Sequence, residues 1–102
     1  MSIQEVLTGT GLPVRYSHFT TPQEPPFLVY LGDGQSHTTA DDRYLLKKNN
    51  YQVELYFTKK NEAQEEAIES ALENNGFLFD KSADTYISGE ELFVIYYSVY
   101  SY

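Results

Sequence analysis

The sequence contains no cysteine and no tryptophan, and it has only one methionine. Without cysteine, the 102-residue chain can form neither a disulfide nor a zinc-thiolate site, and it has no thiol nucleophile. Basic residues are also scarce, since 7 lysines and arginines stand against 15 acidic residues, for a formal net charge of −8. This balance argues against specific nucleic-acid binding, because phosphates would be repelled.

Long hydrophobic runs are missing as well. Nowhere does the sequence reach the run of about 18 apolar residues that suggests a membrane span. Residues 1–6 lack the basic and hydrophobic regions of a secretion signal. We therefore expect no membrane association and a protein made in the cytoplasm. The length predicts a single domain over residues 1–102.

Aromatic residues, in contrast, are abundant, with 10 tyrosines and 6 phenylalanines. Five of these sixteen fall in residues 92–102, a stretch without charge, glycine or proline. Both alternating sets of side chains in this stretch carry apolar bulk, which predicts a strand that is covered on both faces. We expect residues 92–99 to pair inside a sheet and residues 100–102 to project toward a partner.

Other strands are predicted from alternating or compact apolar runs. They fall at residues 14–19, 27–31, 51–58, 77–79 and 84–87, and a further short strand at 44–46 would precede a turn at 47–50. We expect 27–31 to pair antiparallel with 51–58. The second of these strands should turn one side inward, formed by Tyr51, Val53, Leu55 and Phe57, with Gln52, Glu54, Tyr56 and Thr58 on the other side. A turn at 88–90 would join the last two strands as a hairpin.

Two helices are predicted from their capping residues. Ser2 and Glu5 have capping-box spacing at the start of a short helix, and Asn61 with Gln64 marks the start of a longer one. The longer helix should end near Gly76 and bury a narrow stripe formed by Ala63, Ala67, Ile68, Ala71 and Leu72. The sum is an α+β fold of αβββαββ order, with one main helix packed on a mostly antiparallel sheet.

The polar segment 32–42 has no large apolar side chain and is expected to be an exposed loop. Together with the end of the final strand it supplies the candidate interface. Its members are Gly32, Asp33, His37, Asp41, Asp42, Arg43, Tyr100 and Tyr102.

No catalytic, cofactor or metal site is predicted. His18 follows Ser17 directly, so the two would face opposite sides of a strand and cannot pair as nucleophile and base. His37 has acidic neighbours in the polar segment, but their spacing matches no metal motif. The glutamates of the main helix, Glu62, Glu65, Glu66, Glu69 and Glu73, are interpreted as a solvated helix face.

The order of these features resembles small tail proteins of siphophages and prophages of Gram-positive bacteria, namely the tail terminator or tail completion family. The resemblance spans nearly the whole chain and is carried by residues 12–16 (LPVRY), Phe19, residues 22–30 (PQEPPFLVY), residues 50–56 (NYQVELY), the Glu-rich helix and the aromatic final strand.

The resemblance implies a structural virion protein without enzymatic activity or cofactors. Such a subunit would form a homo-oligomeric ring, typically a hexamer, that caps the tail tube protein and meets the head-tail connector protein. It would assemble in the host cytoplasm and end in the virion, with DNA passing through the ring. Two alternatives are a head-completion ring protein and an acidic DNA mimic that inhibits a host DNA-binding enzyme.

Overall fold

The computed structural model describes the backbone of residues 1–40 and 44–102, and the side chains of residues 1–36 and 47–102. Within these described residues, two helices and six strands follow one another in αβββαβββ order. They are α1 (Ile3–Thr8), β1 (Val14–Tyr16), β2 (Phe27–Ala40), β3 (Tyr44–Phe57), α2 (Glu62–Asn74), β4 (Leu78–Lys81), β5 (Thr85–Ile87) and β6 (Leu92–Ser101). The predicted α+β class is confirmed, and two separate short strands follow α2.

All six strands belong to one sheet of order β1-β2-β3-β6-β4, in which β5 also pairs with β6. Only the β1-β2 pair is parallel. The predicted antiparallel pairing of residues 27–31 with 51–58 is confirmed, as is the final hairpin of β5 and β6. The last strand lies inside the sheet, with β3 on one side and β4 and β5 on the other.

The predicted helix caps are present. Ser2 and Glu5 form a reciprocal capping box at α1, and the Asn61 side chain accepts a hydrogen bond from the Gln64 backbone N–H at α2. Gly76 has φ of 82°, a conformation that glycine adopts without steric cost, and so ends α2. These local signals are strong because they satisfy the backbone groups that a helix leaves unpaired at its ends.

The core lies between the two helices and one face of the sheet. Ile68 and Leu72 of α2 have no exposed surface, and they pack with strand residues such as Leu55 and Tyr97. The inward side of β3 is as predicted, since Val53, Leu55 and Phe57 are buried. The predicted α2 stripe is only partly right. Ala63 and Ala67 are exposed, whereas Glu65, which lies between them in the sequence, is buried.

The predicted loop at residues 32–42 is wrong for residues 32–40, which belong to β2. The pairing with β3 shifts register between Gly32 and Gln35 and then continues to Ala40↔Tyr44. The predicted turn at 47–50 is also wrong, because β3 runs through it without a break. Polar contacts support this part of the ladder, including the Gln35 amide donating to Asn49 Oδ1 at 2.6 Å. Because these contacts are polar, the sequence shows no alternation of apolar residues that would predict this part of the ladder.

We call residues 35–40 and 44–48 the arm. The pairing of β6 with β3 ends at Asn49↔Ser101, and β1 pairs with β2 only as far as Tyr30. Among the described strands, residues 36–40 and 44–48 of the arm therefore pair only with each other, and Gln35 pairs with Asn49 at its base. The molecule is correspondingly elongated, with extents of 50 × 26 × 25 Å.

The prediction that residues 100–102 leave the sheet is wrong for the first two of them. Tyr100 pairs with Asn50 on one side and with Leu78 on the other, and Ser101 pairs with Asn49. Only Tyr102 lies beyond β6, with 67% of its surface exposed. The ladder continues because both neighbouring strands extend far enough to bond with the end of β6.

Candidate interaction surface

The two faces of the sheet differ in what covers them. Side chains alternate between faces along a strand, and paired residues of neighbouring strands share a face. The face that contains Leu28, Val53, Leu55, Ile95 and Tyr97 packs with residues of α1 and α2, and we call it the covered face. The opposite face, which we call the open face, contains Val29, Gln52, Glu54, Tyr56, Val94, Tyr96 and Ser98.

One end of the open face is closed by aromatic packing. Phe27 stacks on Tyr56 with ring centroids 5.0 Å apart, and Phe19 meets Phe27 edge-on at 5.2 Å. The guanidinium of Arg15 lies 5.6 Å from the Phe19 ring centroid. These rings line a groove of about 400 Å³ together with residues of the loop that follows β1. Val94, which pairs with Tyr56 on this face, is fully buried although it does not belong to the core cluster on the other face.

Glu54 lies in the middle of the open face and is only 9% exposed. One of its carboxylate oxygens accepts a hydrogen bond from the Tyr56 hydroxyl at 2.6 Å, and the other accepts one from the Gln52 amide at 2.8 Å. Burial and this hydrogen bond raise the pKa of Tyr56. The phenol therefore stays protonated at neutral pH and acts as a donor.

The other half of the open face, toward the arm, is exposed. Tyr96 is 37% exposed, Leu78 is 50% exposed, and Ser98 and Asp80 are exposed beside them. Lys48 at the base of the arm places its Nζ 4.1 Å from the ring centroid of Tyr100. Large apolar and aromatic side chains that lie exposed side by side are typical of a contact surface for protein.

A second polar cluster lies at the edge of the covered face, around Glu65. The carboxylate is 3% exposed and lies 2.8 Å from the ammonium groups of both Lys60 and Lys81. Burial alone would raise the pKa of Glu65, but the hydrogen bonds from the two lysines outweigh it and lower that pKa.

The cluster extends to the core through Glu69. This residue accepts a hydrogen bond from the Tyr97 hydroxyl at 2.8 Å and forms an ion pair with Lys81. Burial and the bond to Glu69 raise the pKa of Tyr97. The interpretation of the α2 glutamates as a uniformly solvated face is therefore wrong for Glu65, and the cluster attaches α2 to β4.

The predicted interface residues lie in different places. Gly32 and Asp33 are in β2 where the register shifts, and Tyr100 is half-buried in β6. Tyr102 lies beyond the sheet. The side chain of His37 and the whole of Asp41, Asp42 and Arg43 fall outside the described part of the chain. The structure thus brings Tyr100 to the base of the arm.

No protein-family model matches the chain. No curated protein matches it. The resemblance to tail terminators therefore rests on the order of the sequence features alone.

Sequence analysis predicted that the final strand is covered on both faces, but it did not predict which part of the sheet stays exposed. It placed Gln52, Glu54 and Tyr56 on one side of a strand but treated that side as polar and solvated. The available signal was the aromatic content of both alternating sets in residues 92–102, which required cover beyond one helix. Within the described residues no group of three metal-ligating side chains converges, and no helix there has the length and apolarity to cross a membrane.

Proposed function

We propose that the protein is a structural subunit of a homo-oligomeric ring that ends the tail tube of a phage and joins it to the head connector. The observation that carries the proposal is the exposed half of the open face, next to a final strand whose side chains are largely apolar. The order of the sequence features supplies the phage context.

A ring provides the cover that the lone subunit lacks. Tyr96 and Leu78 keep large exposed fractions on the open face, whereas their covered-face counterparts are buried under two helices. In a closed ring each subunit offers one surface to its neighbour on one side and a different surface on the other side. This heterologous contact buries the open face of every copy without a second domain.

The charge of the chain suits a ring through which DNA passes. A formal charge of −8 repels phosphates, so DNA can slide past without binding. The DNA-mimic alternative has less support, because two of the α2 glutamates, Glu65 and Glu69, are paired with lysines rather than displayed to solvent.

The test is native mass spectrometry over a concentration series, followed by incubation with purified tail tubes and with head connectors. We expect one discrete closed oligomer, six copies on the family pattern, that binds tube ends. A protein that stays monomeric at high concentration and binds no tube would overturn the proposal. An oligomer that binds connectors but not tubes would favour the head-completion role.

A matched pair of variants locates the interface. Ser98 is exposed on the open face, and Ser70 is exposed on α2. We expect Ser98→Arg to prevent assembly, because a long charged side chain would be forced into the contact, and Ser70→Arg to leave it intact. Equal behaviour of the two variants would contradict a contact through the open face.

A further inference from the structure

We propose that the arm of one copy docks on the exposed half of the open face of the next copy, and that this contact sets the heterologous geometry of the ring. The inference rests on the proposed ring function. It names the two surfaces that meet and makes the partner a second copy of the chain.

The first argument is geometric. Beyond Gln35 and Asn49, the strands of the arm have no further strand beside them among the described residues. The ladder of the arm continues from β2 and β3 along their own direction, so it leads away from the open face of its own subunit. A two-stranded hairpin is marginally stable in water by itself, and contact with a neighbouring subunit would stabilise it.

The second argument is charge. The segment 35–48 contains three basic residues and two acidic ones, a net charge of +1, and both of its lysines lie in residues 44–48, whereas the chain as a whole has 15 acidic and 7 basic residues. Lys47 is exposed on the arm. The exposed half of the open face offers Asp80, which pairs with Ser98, and the nearby Tyr96 pairs with Glu54. The arm is thus a basic element in an acidic protein, and it complements the body of another copy.

The third argument is a contact that the molecule already makes. Lys48 lies over the ring of Tyr100 at 4.1 Å, at the border between the arm and the open face. A lysine of the arm therefore meets a tyrosine of this surface within one subunit. In the ring, Lys47 of a neighbouring copy would contact Tyr96 in the way that Lys48 contacts Tyr100, with Asp80 nearby.

The absence of cysteine makes this contact directly testable. The double variant Lys47→Cys/Ser98→Cys places one thiol on the arm and one on the open face. Ser98 pairs with Gln52, five residues from Lys47 along β3, so the two positions are about 17 Å apart within one subunit. A disulfide needs Cα atoms closer than about 7 Å, so only a bond between copies can form.

Mild oxidation of the assembled double variant should give a ladder of covalent oligomers up to the full ring, seen by non-reducing electrophoresis. Each single variant should stay uncrosslinked. The pair Ser36→Cys/Ser98→Cys probes the opposite face of the arm. Ser36 pairs with Lys48 and shares its face, and Lys48 is the residue next to Lys47 in the strand. The inference predicts a ladder from at least one pair. The control Lys59→Cys/Ser98→Cys, whose lysine lies at the other end of β3, should give none.

Charge reversal supplies an independent readout. Lys47→Glu should raise the protein concentration at half-assembly by about tenfold, the effect of losing one favourable charged contact. Lys59→Glu, an exposed lysine reversed in the same way, should change it by less than about twofold. Circular dichroism of each variant verifies that the subunit is folded.

The outcomes separate this inference from the ring proposal. A ring in native mass spectrometry without a ladder from either arm pair would overturn the arm contact and leave the ring standing. Covalent dimers from the single variants would mean that like surfaces meet, which also overturns it. A ladder formed only after adding tail tubes, or an arm that crosslinks to tube protein instead, would assign the arm to that partner and overturn the contact between copies.

Discussion

The covered and open faces of this sheet are built from the same strands, yet they are completed differently. On the covered face, two helices bury Leu28, Val53 and Tyr97, and charged side chains at its edge form ion pairs such as that between Lys81 and Glu65. On the open face, a ladder of aromatic rings closes one end and leaves the other end exposed. The covered face therefore supplies the core of the subunit, whereas the open face is the surface that the proposed ring would bury.

The largest expected effect comes from one substitution made on each face. Leu72→Ala removes a side chain with no exposed surface between α2 and the sheet. We expect the free energy of unfolding to fall by about 3 kcal/mol, from lost burial and the cavity left behind. Leu78→Ala, at a 50% exposed site, should cost less than about 1 kcal/mol. Urea unfolding of the lone subunit measures both.

The same pair separates stability from assembly. If the open face is a contact surface, Leu78→Ala should weaken oligomerisation more than its small effect on unfolding accounts for. Similar unfolding costs for the two leucines would erase the distinction between the faces.

A smaller effect is expected at Glu65, which holds α2 to β4. Glu65→Gln keeps the shape of the side chain but removes the charge between Lys60 and Lys81. We expect a loss of about 1–2 kcal/mol at neutral pH, reduced because both lysines are partly exposed to solvent. Glu66→Gln, the same change at the next, exposed residue, should have little effect.

The direction of the pKa shift of Glu65 predicts how its contribution to stability depends on pH. The pKa of Glu65 in the folded protein lies below its ordinary value of 4.5. Its charge therefore stabilises the fold fully above that value, and the contribution is lost as the pH falls through the lowered folded pKa. The difference between Glu65→Gln and the unmodified protein should shrink in the same range. A difference that stays constant as the acid form is reached would argue against the ion cluster as its cause.

The elements that sequence analysis predicted correctly are those in which local chemistry and burial agree. The caps at Ser2 and Asn61 satisfy backbone groups within a few residues, and the alternation of Val53, Leu55 and Phe57 follows from one buried side. The arm was missed because its ladder is supported by polar contacts such as Gln35 to Asn49, which leave no apolar period in the sequence.

Which surface side chains are buried was harder to predict than where the helices and strands lie, for a related reason. The burial of Glu65 depends on Lys81, a residue of another strand brought near only by the fold. The burial of Glu54 also depends on the fold. A carboxylate in an alternating strand predicts a solvated side, but tertiary packing leaves Glu54 only 9% exposed. Sequence alone therefore indicated that the final strand needed cover on both faces, without locating the side that remained open.

The smallest expected effect lies at the C-terminus and sharpens where the sheet ends. Tyr102 lies beyond β6 and is 67% exposed, so its deletion should change the free energy of unfolding by less than about 0.5 kcal/mol. Deletion of residues 100–102 should cost more than deletion of Tyr102 alone, because Tyr100 pairs with β3 and β4 and carries the ring under Lys48. Urea unfolding of the two truncated chains compares them directly. If deleting Tyr102 alone destabilises the subunit as much as deleting all three residues, the end of β6 is anchored by its last side chain rather than by strand pairing.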